Sequence, residues 1–213
     1  MQTLSAEQRR FFEQAVSTYQ SNLTSDTSVQ AYLMGRGFGP AEAATFRLGV
    51  VRRHLVGHEG FAGRLAIPYL TPTGVVNIRF RCLRQHDCAS EDCPKYLGMD
   101  GAENRLYNVL DLKKPGRAIC VAEGELDAAT LSMAGLPAVG VPGVESWQDH
   151  WGRCLEDFDQ IYTFADGDKA GRRFAKFLAK EVRARPVRIP AGEDCNSIYV
   201  KEGPNGLRKL ISE

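Results

Sequence analysis

The sequence predicts an α/β protein in two parts. A small helical, basic subdomain with a β-hairpin comes first, and a parallel βαβαβ sheet with flanking helices follows. Three observations predict it. Apolar positions recur at helical spacing near the start, switch to every second residue between 65 and 82, and beyond Gly116 form short runs that alternate with helical segments. The Lys113-Lys114-Pro115-Gly116 break divides the chain into expected domains at 1–112 and 113–213.

Each element has a local reason. Phe12, Val16, Tyr19 and Leu23 share one helix face, and Ser5 and Gln8 stand in capping-box order, so residues 5–23 are expected as a helix. A second helix over 28–34 ends at Gly35-Arg36-Gly37, and a third starts near Gly39-Pro40, where proline suits the first turn. Leu65, Ile67 and Tyr69, then Val76, Ile78, Phe80 and Cys82, alternate around Thr71-Pro72-Thr73-Gly74, which is a hairpin pattern. That register puts Asn77, Arg79 and Arg81 on the face opposite the second strand's apolar set. Two arginines project together.

In the second part, strands are expected at 118–122, 137–141, 161–165 and 187–189, with helices at 125–134, 146–158 and 171–182.

Composition narrows the function classes. The chain has 213 residues, 43% hydrophobic and 25% charged, with a net charge of +1, an ordinary globular balance. No apolar run approaches the ~18 residues of a membrane helix and the start is polar, so a cytoplasmic protein without a membrane partner is expected. Six cysteines in a chain of this length make no disulfide framework.

The near-zero net charge conceals segregation. Residues 36–84 hold eight arginines against Glu42 and Glu59; residues 121–168 hold ten acids against Arg153; residues 169–188 hold eight Lys/Arg against Glu181. Alternating blocks suit a polyanion held beside carboxylates that need a cation. Solvated helix faces are the alternative for any one block.

The acids fall at strand ends. Glu123 follows the first predicted strand of the second part, Asp166 and Asp168 the third, and Asp194 the fourth. In an open α/β sheet the carboxyl ends of parallel strands line one edge, so these distant side chains can converge there. An all-oxygen set points to Mg²⁺ or Mn²⁺. A lone acid at such a junction is more often a helix cap.

These residues also carry a family resemblance. Val121-Ala-Glu-Gly-Glu-Leu-Asp127 resembles the first motif of the Toprim domain, Ala165-Asp-Gly-Asp-Lys-Ala-Gly171 the second, and Gly192-Glu-Asp-Cys-Asn196 the third. Upstream, Ala31-Tyr-Leu-Met-Gly-Arg-Gly37, Gly63-Arg-Leu-Ala-Ile-Pro68 and Pro94-Lys-Tyr-Leu97 resemble, in order, the basic RNA-polymerase-like subdomain of DnaG-type bacterial primases. The resemblance implies a primase catalytic core, of stand-alone phage type, that makes short RNA primers on single-stranded DNA. It implies that Glu123, Asp166 and Asp168 are catalytic, and that these three with Asp194 and Asn196 hold Mg²⁺ or Mn²⁺. Asn196 stands where the bacterial family usually has a second aspartate. Asp127 is implied as support for these acids. Lys95 and Tyr96 match positions that contact the incoming nucleotide, and Arg79, Arg81, Arg36 and Lys169 are phosphate-binding candidates. The implied partners are single-stranded DNA template, ribonucleoside triphosphates and a replicative helicase, in a host cytoplasm if the source is a phage. A Toprim-type nuclease and a non-catalytic replication adaptor are the competing readings.

Cys82, His86, Cys88 and Cys93 form an insertion relative to the primase pattern. Three thiols and one imidazole match a structural Zn²⁺ site in ligand type, although the spacing is irregular for a zinc ribbon. Reduced cysteines in an ordinary loop are the other reading. Cys120 and Cys154 are expected in the core.

Overall fold

Ser5 starts the first helix by capping it: its Oγ accepts the Gln8 N–H at 3.1 Å, and Gln8 Oε1 accepts the Ser5 N–H at 2.8 Å. The computed structural model describes residues 3–86, 88, 90, 91 and 93–212, which fall into two compact units, Met1–Glu103 and Asn104–Glu213.

In the first unit, helices α1 (Ala6–Thr24), α2 (Thr27–Met34) and α3 (Pro40–Thr45) precede a four-stranded antiparallel sheet. Its strands run in the order β1 (Gly49–Val50), β2 (Leu65–Thr71), β3 (Gly74–Arg81) and β4 (Tyr96–Leu97). α1 buries Phe12, Ala15, Val16 and Tyr19 against Ala66, Val75, Ile78 and Phe80 of the sheet. A Cβ on Gly49 would lie 2.5 Å from the Tyr19 backbone, so glycine permits the close approach of β1 to α1.

The hairpin forms where alternation predicts it, with a different arrangement of faces. Leu65 pairs with Arg81, Ile67 with Arg79 and Tyr69 with Asn77, so the apolar set of β2 shares a face with the arginines of β3. Leu65, Ile67 and Tyr69 are nevertheless buried, because β2 is covered on both sides. A register shift between Tyr69 and Leu70 also makes Val75, rather than Val76, the buried residue after the turn.

The second unit carries a parallel sheet. Strands β5 (Ala118–Ala122), β6 (Ala138–Gly140), β7 (Gln160–Phe164) and β8 (Arg185–Pro186) lie in the order β6-β5-β7-β8. Helix α4 (Glu125–Met133) follows β5, α5 (Lys169–Glu181) follows β7, and α6 (Cys195–Glu202) and α7 (Pro204–Ser212) close the chain. The sequence reading assigned neither α6 nor α7. Ile119, Val121, Val139, Trp151, Ile161, Phe174 and Leu178 form the core of this unit.

Three features differ from expectation. β8 lies at Arg185–Pro186 rather than at 187–189, with the Val187 N–H still donating to the Thr163 carbonyl at 2.9 Å. Residues 104–112 join the second unit rather than the first, because they complete the edge at β6. Tyr107 bridges Gly140, Asn108 Nδ2 donates to the Ala138 carbonyl at 2.9 Å, and Asp111 Oδ2 accepts the Ala138 N–H at 3.0 Å. The helix expected over 146–158 is instead two short 3₁₀ segments, Val144–Ser146 and Asp149–Leu155. Trp147 between them is extended, and its ring packs edge-on to Trp151 at 5.7 Å. Tertiary packing of the two indoles, with Gly152 inside the second segment, outweighs a weak helical preference. No helix among the described residues is long and apolar enough to cross a membrane.

Candidate active site and metal centres

The carboxylate rim is built by the ends of β5 and β7. These strands pair in parallel through Ala122↔Phe164, so the residues that leave them emerge side by side. Glu123 Oε2 accepts the backbone N–H of Asp166 at 3.3 Å, linking the two strand ends directly. Asp166 and Asp168 are exposed, whereas Glu123, Asp127 and Asp194 are half-buried.

Asp168 and Asp194 are also helix caps. Asp168 Oδ1 accepts the Gly171 N–H at 2.7 Å at the start of α5, and Asp194 Oδ1 accepts the Ser197 N–H at 2.6 Å at the start of α6. Each carboxylate has a second oxygen, so capping and cation binding are compatible at one residue. Ser197 Oγ returns an acceptor to the Asp194 N–H at 2.9 Å, which fixes the third acidic turn. The Cys195 thiol, next to Asp194 in the chain, is buried. Burial pushes its pKa up first, and the negative charges of Asp127, Asp194 and Asp166 push it further in the same direction.

Gly171 explains how α5 approaches the rim. A Cβ there would stand 2.1 Å from the Asp166 carbonyl oxygen and 2.8 Å from its nitrogen, so only glycine lets the first turn pack on the Asp166 backbone. Arg172 closes the same turn by donating to the Gly167 carbonyl. Lys169 is exposed in the first turn of α5. Asn196 is only 5% exposed and its Nδ2 donates to Thr130 Oγ1 at 3.3 Å, which seats it against α4.

In the first unit, arginines and tyrosines form a second constellation. Arg81 donates from Nε to Tyr32 Oη at 3.0 Å and from Nη1 to Tyr96 Oη at 2.5 Å. Burial works to lower its pKa, but Tyr96 and Tyr32 outweigh burial and the net shift is upward, so the guanidinium stays charged. Arg79 lies over the Tyr96 ring with its Cζ 5.0 Å from the centroid, and Arg36 over the Tyr32 ring at 5.3 Å. The sequence reading missed Tyr32. Its place in the Ala31–Gly37 motif, four residues before Arg36, was the signal that could have found it. Lys95 is exposed, and its carbonyl accepts the Cys82 N–H at 2.8 Å.

Cys82, His86, Cys88 and Cys93 also come together. Their ligand atoms all lie within 4.8 Å of one another, a group able to hold a metal ion. Cys82 sits just beyond the end of β3, half-buried, where the connection to β4 folds back. Burial alone would raise its thiol pKa, but hydrogen bonds from the Arg84 backbone and from His86, Cys93 and the Arg84 guanidinium bring it down to about 6. Of the other cysteines, Cys120 is buried as expected and Cys154 is exposed.

Comparison with known proteins places this geometry. The gene 57 protein of Mycobacterium phage D29 is 37% identical over 157 residues, covering 71% of this chain and 99% of that one. The chain belongs to the same family as this phage protein. Residues 120–199, the segment that carries the carboxylate rim, match the family described as Toprim-like. A DNA primase of Pseudomonas putida is 29% identical over 140 residues, which are 58% of this chain and 21% of the primase. The chain therefore spans about a fifth of the cellular primases it matches.

The fold is shared more widely. The DnaG catalytic core superposes with a TM-score of 0.78 at 21% identity, over 96% of this chain and 79% of that structure. A DNA primase domain from Pseudomonas aeruginosa gives 0.79 at 23% identity, over 96% and 78%. One further DnaG catalytic domain, with a TM-score of 0.75 at 23% identity over 98% and 80%, was solved bound to single-stranded DNA. The fold of this chain is that of the DnaG catalytic core.

Proposed function

We propose that this protein is a primase-type nucleotidyltransferase that makes short RNA primers on single-stranded DNA. The observation that carries this reading is the junction of Glu123 with Asp166 at the paired ends of β5 and β7, inside the Toprim-like segment. The donor set Glu123, Asp166, Asp168 and Asp194 is all carboxylate, which fits a hard divalent cation, Mg²⁺ or Mn²⁺. Such a cation neutralises charge on the transferring phosphate and lowers the pKa of an attacking hydroxyl. Asn196 assists through its carbonyl oxygen, its amide being donated to Thr130. Glu123 acts as general base or as a cation-linked acid at the same junction, and Asp127 supports the rim from α4.

The basic unit supplies the phosphate grips. Arg79 and Lys95 engage triphosphate oxygens, Tyr96 presents its ring to the incoming nucleotide, and Arg36 contacts phosphate as a charge, as does Lys169 of the second unit. Arg81 holds Tyr96 in place and adds its own charge. The partners in this reading are a single-stranded DNA template, ribonucleoside triphosphates and a replicative helicase, in the cytoplasm of a phage host. The cysteine and histidine group takes a structural Zn²⁺.

A gel assay tests it. Single-stranded DNA, labelled ribonucleotides and Mg²⁺ or Mn²⁺ are expected to yield short RNA, lost in both Asp166→Ala and Glu123→Ala. The same acids suit a Toprim nuclease, which would cleave the DNA instead. Binding that needs no cation and produces no turnover would identify an adaptor.

A further inference from the structure

Three of the six separations within the cysteine and histidine group are close to the edges of a tetrahedral zinc site. Zn–S bonds of ~2.3 Å and Zn–N bonds of ~2.0 Å imply S···S edges of roughly 3.8 Å and S···N edges of about 3.5 Å. Cys82 and Cys93 sulfurs are 3.7 Å apart, and His86 Nε2 lies 3.4 Å from Cys82 Sγ and 3.2 Å from Cys88 Sγ. A disulfide, at ~2.05 Å, does not account for the sulfur pair.

The surroundings are those of a metal ligand set. The other ring nitrogen of His86, Nδ1, is 2.7 Å from Glu91 Oε2. A carboxylate there accepts a hydrogen bond from Nδ1–H, which leaves the Nε2 lone pair free to face a metal held among the three sulfurs. Zinc with three thiolates carries one net negative charge. Arg64 offsets it by donating to Cys93 Sγ at 3.4 Å, while its other nitrogen donates to the Pro94 carbonyl at 2.8 Å.

The position says what such a metal would do. β4 is two residues long and pairs with β3 only through Phe80↔Leu97 and Arg81↔Tyr96. So short a pairing, reached through a connection of about a dozen residues, has little stability of its own. Cys82 and Cys93 close that connection just outside the Cys82-to-Lys95 hydrogen bond. We propose that Cys82, His86, Cys88 and Cys93 bind one Zn²⁺ that clamps β4 onto β3, and that Glu91 is the positioning residue that orients His86 toward it. The zinc assignment made above underlies this clamp; the polymerase reading does not.

The test uses the full chain purified without chelator. Elemental analysis is expected to find one zinc per chain after dialysis, and Co²⁺ exchange to produce the absorption of a tetrahedral thiolate site. Glu91→Gln keeps all four ligands. It is expected to hold one zinc at saturation but to lose it to a chromophoric chelator at tenfold to hundredfold lower competitor strength than the unaltered chain. Chelation of the unaltered chain is expected to open residues 82–95 to protease. Absence of both zinc and the Co²⁺–thiolate band overturns the site, even if RNA synthesis is observed. Equal affinities in Glu91→Gln and the unaltered chain overturn the role of Glu91. A connection that stays protease-resistant without metal overturns the clamp.

Discussion

Glu123 and Asp166, 43 positions apart in the chain, meet through a hydrogen bond in which the carboxylate accepts the aspartate's own backbone N–H at 3.3 Å. One oxygen of Glu123 therefore holds the turn that presents Asp166. Replacing Glu123 with Gln removes the charge while retaining an acceptor of nearly the same shape. Cation-dependent nucleotidyl transfer is expected to fall by about a hundredfold or more, the usual cost of losing a general base or a charged group at a phosphoryl site. Thermal unfolding should change little. Equal loss of activity and of melting temperature would assign Glu123 to folding alone.

Gly171 tests the packing beneath Asp166. Gly171→Ala would force a methyl group to within 2.1 Å of the Asp166 carbonyl oxygen, whereas a Cβ on Gly167 meets nothing within 4 Å. The first substitution must shift either α5 or the Asp166 turn, at a cost of about 1–3 kcal/mol. Gly167→Ala should be nearly neutral. Denaturant midpoints and Mg²⁺ titration of both variants check the contrast, with cation affinity reduced only in Gly171→Ala.

Arg79 and Arg81 share a face of β3 and are expected to behave differently. Arg81 bridges two tyrosine hydroxyls, so Arg81→Ala strips a charged donor from Tyr32 and Tyr96 and should lower stability by about 1–2 kcal/mol. Arg79 rests on the face of the Tyr96 ring. Arg79→Ala should leave the melting temperature nearly unchanged and weaken triphosphate binding about tenfold, with a shallower salt dependence. Calorimetric titration with a nonhydrolysable ribonucleoside triphosphate separates the two.

How much of this was legible in the sequence depends on the range of the interaction. Strand ends carrying Glu123, Asp166 and Asp168 could be read because strand-to-helix alternation fixes which edge they share. Helix α1 could be read because its cap and its apolar stripe are both local. The pairing of Leu65 with Arg81 could not, because alternation gives the face of each strand separately and a buried β2 is apolar on both. The cysteine spacing looked irregular for a similar reason. Cys82 and Cys93 meet because β3 and β4 pair, which no ligand-spacing pattern contains. Glu91, Tyr32 and the contact between Gly171 and Asp166 are likewise products of folding rather than of composition.

His58 makes a pH prediction with a definite sign. Its ring is fully buried, with Phe11, Phe61 and Phe80 centroids 5.1, 5.4 and 5.4 Å away, and its Nδ1 is 2.6 Å from Tyr19 Oη. Nε2 is buried without a hydrogen-bond partner. Burial lowers the pKa below the usual 6.5 and wins over the nearby Glu59 charge, which acts in the opposite direction. Below pH 6.5 the unfolded chain therefore binds a proton that the native chain refuses. Stability contributed by neutral His58 is present above 6.5 and declines as pH falls from there toward the depressed native value. Urea midpoints of the unaltered chain should drop between pH 7 and pH 5. His58→Gln, which keeps an acceptor for Tyr19 but does not titrate, should have a flatter profile over the same range. His86 is common to both proteins, so the difference between the two profiles isolates His58. Identical slopes would place the acid sensitivity elsewhere and remove His58 from the account.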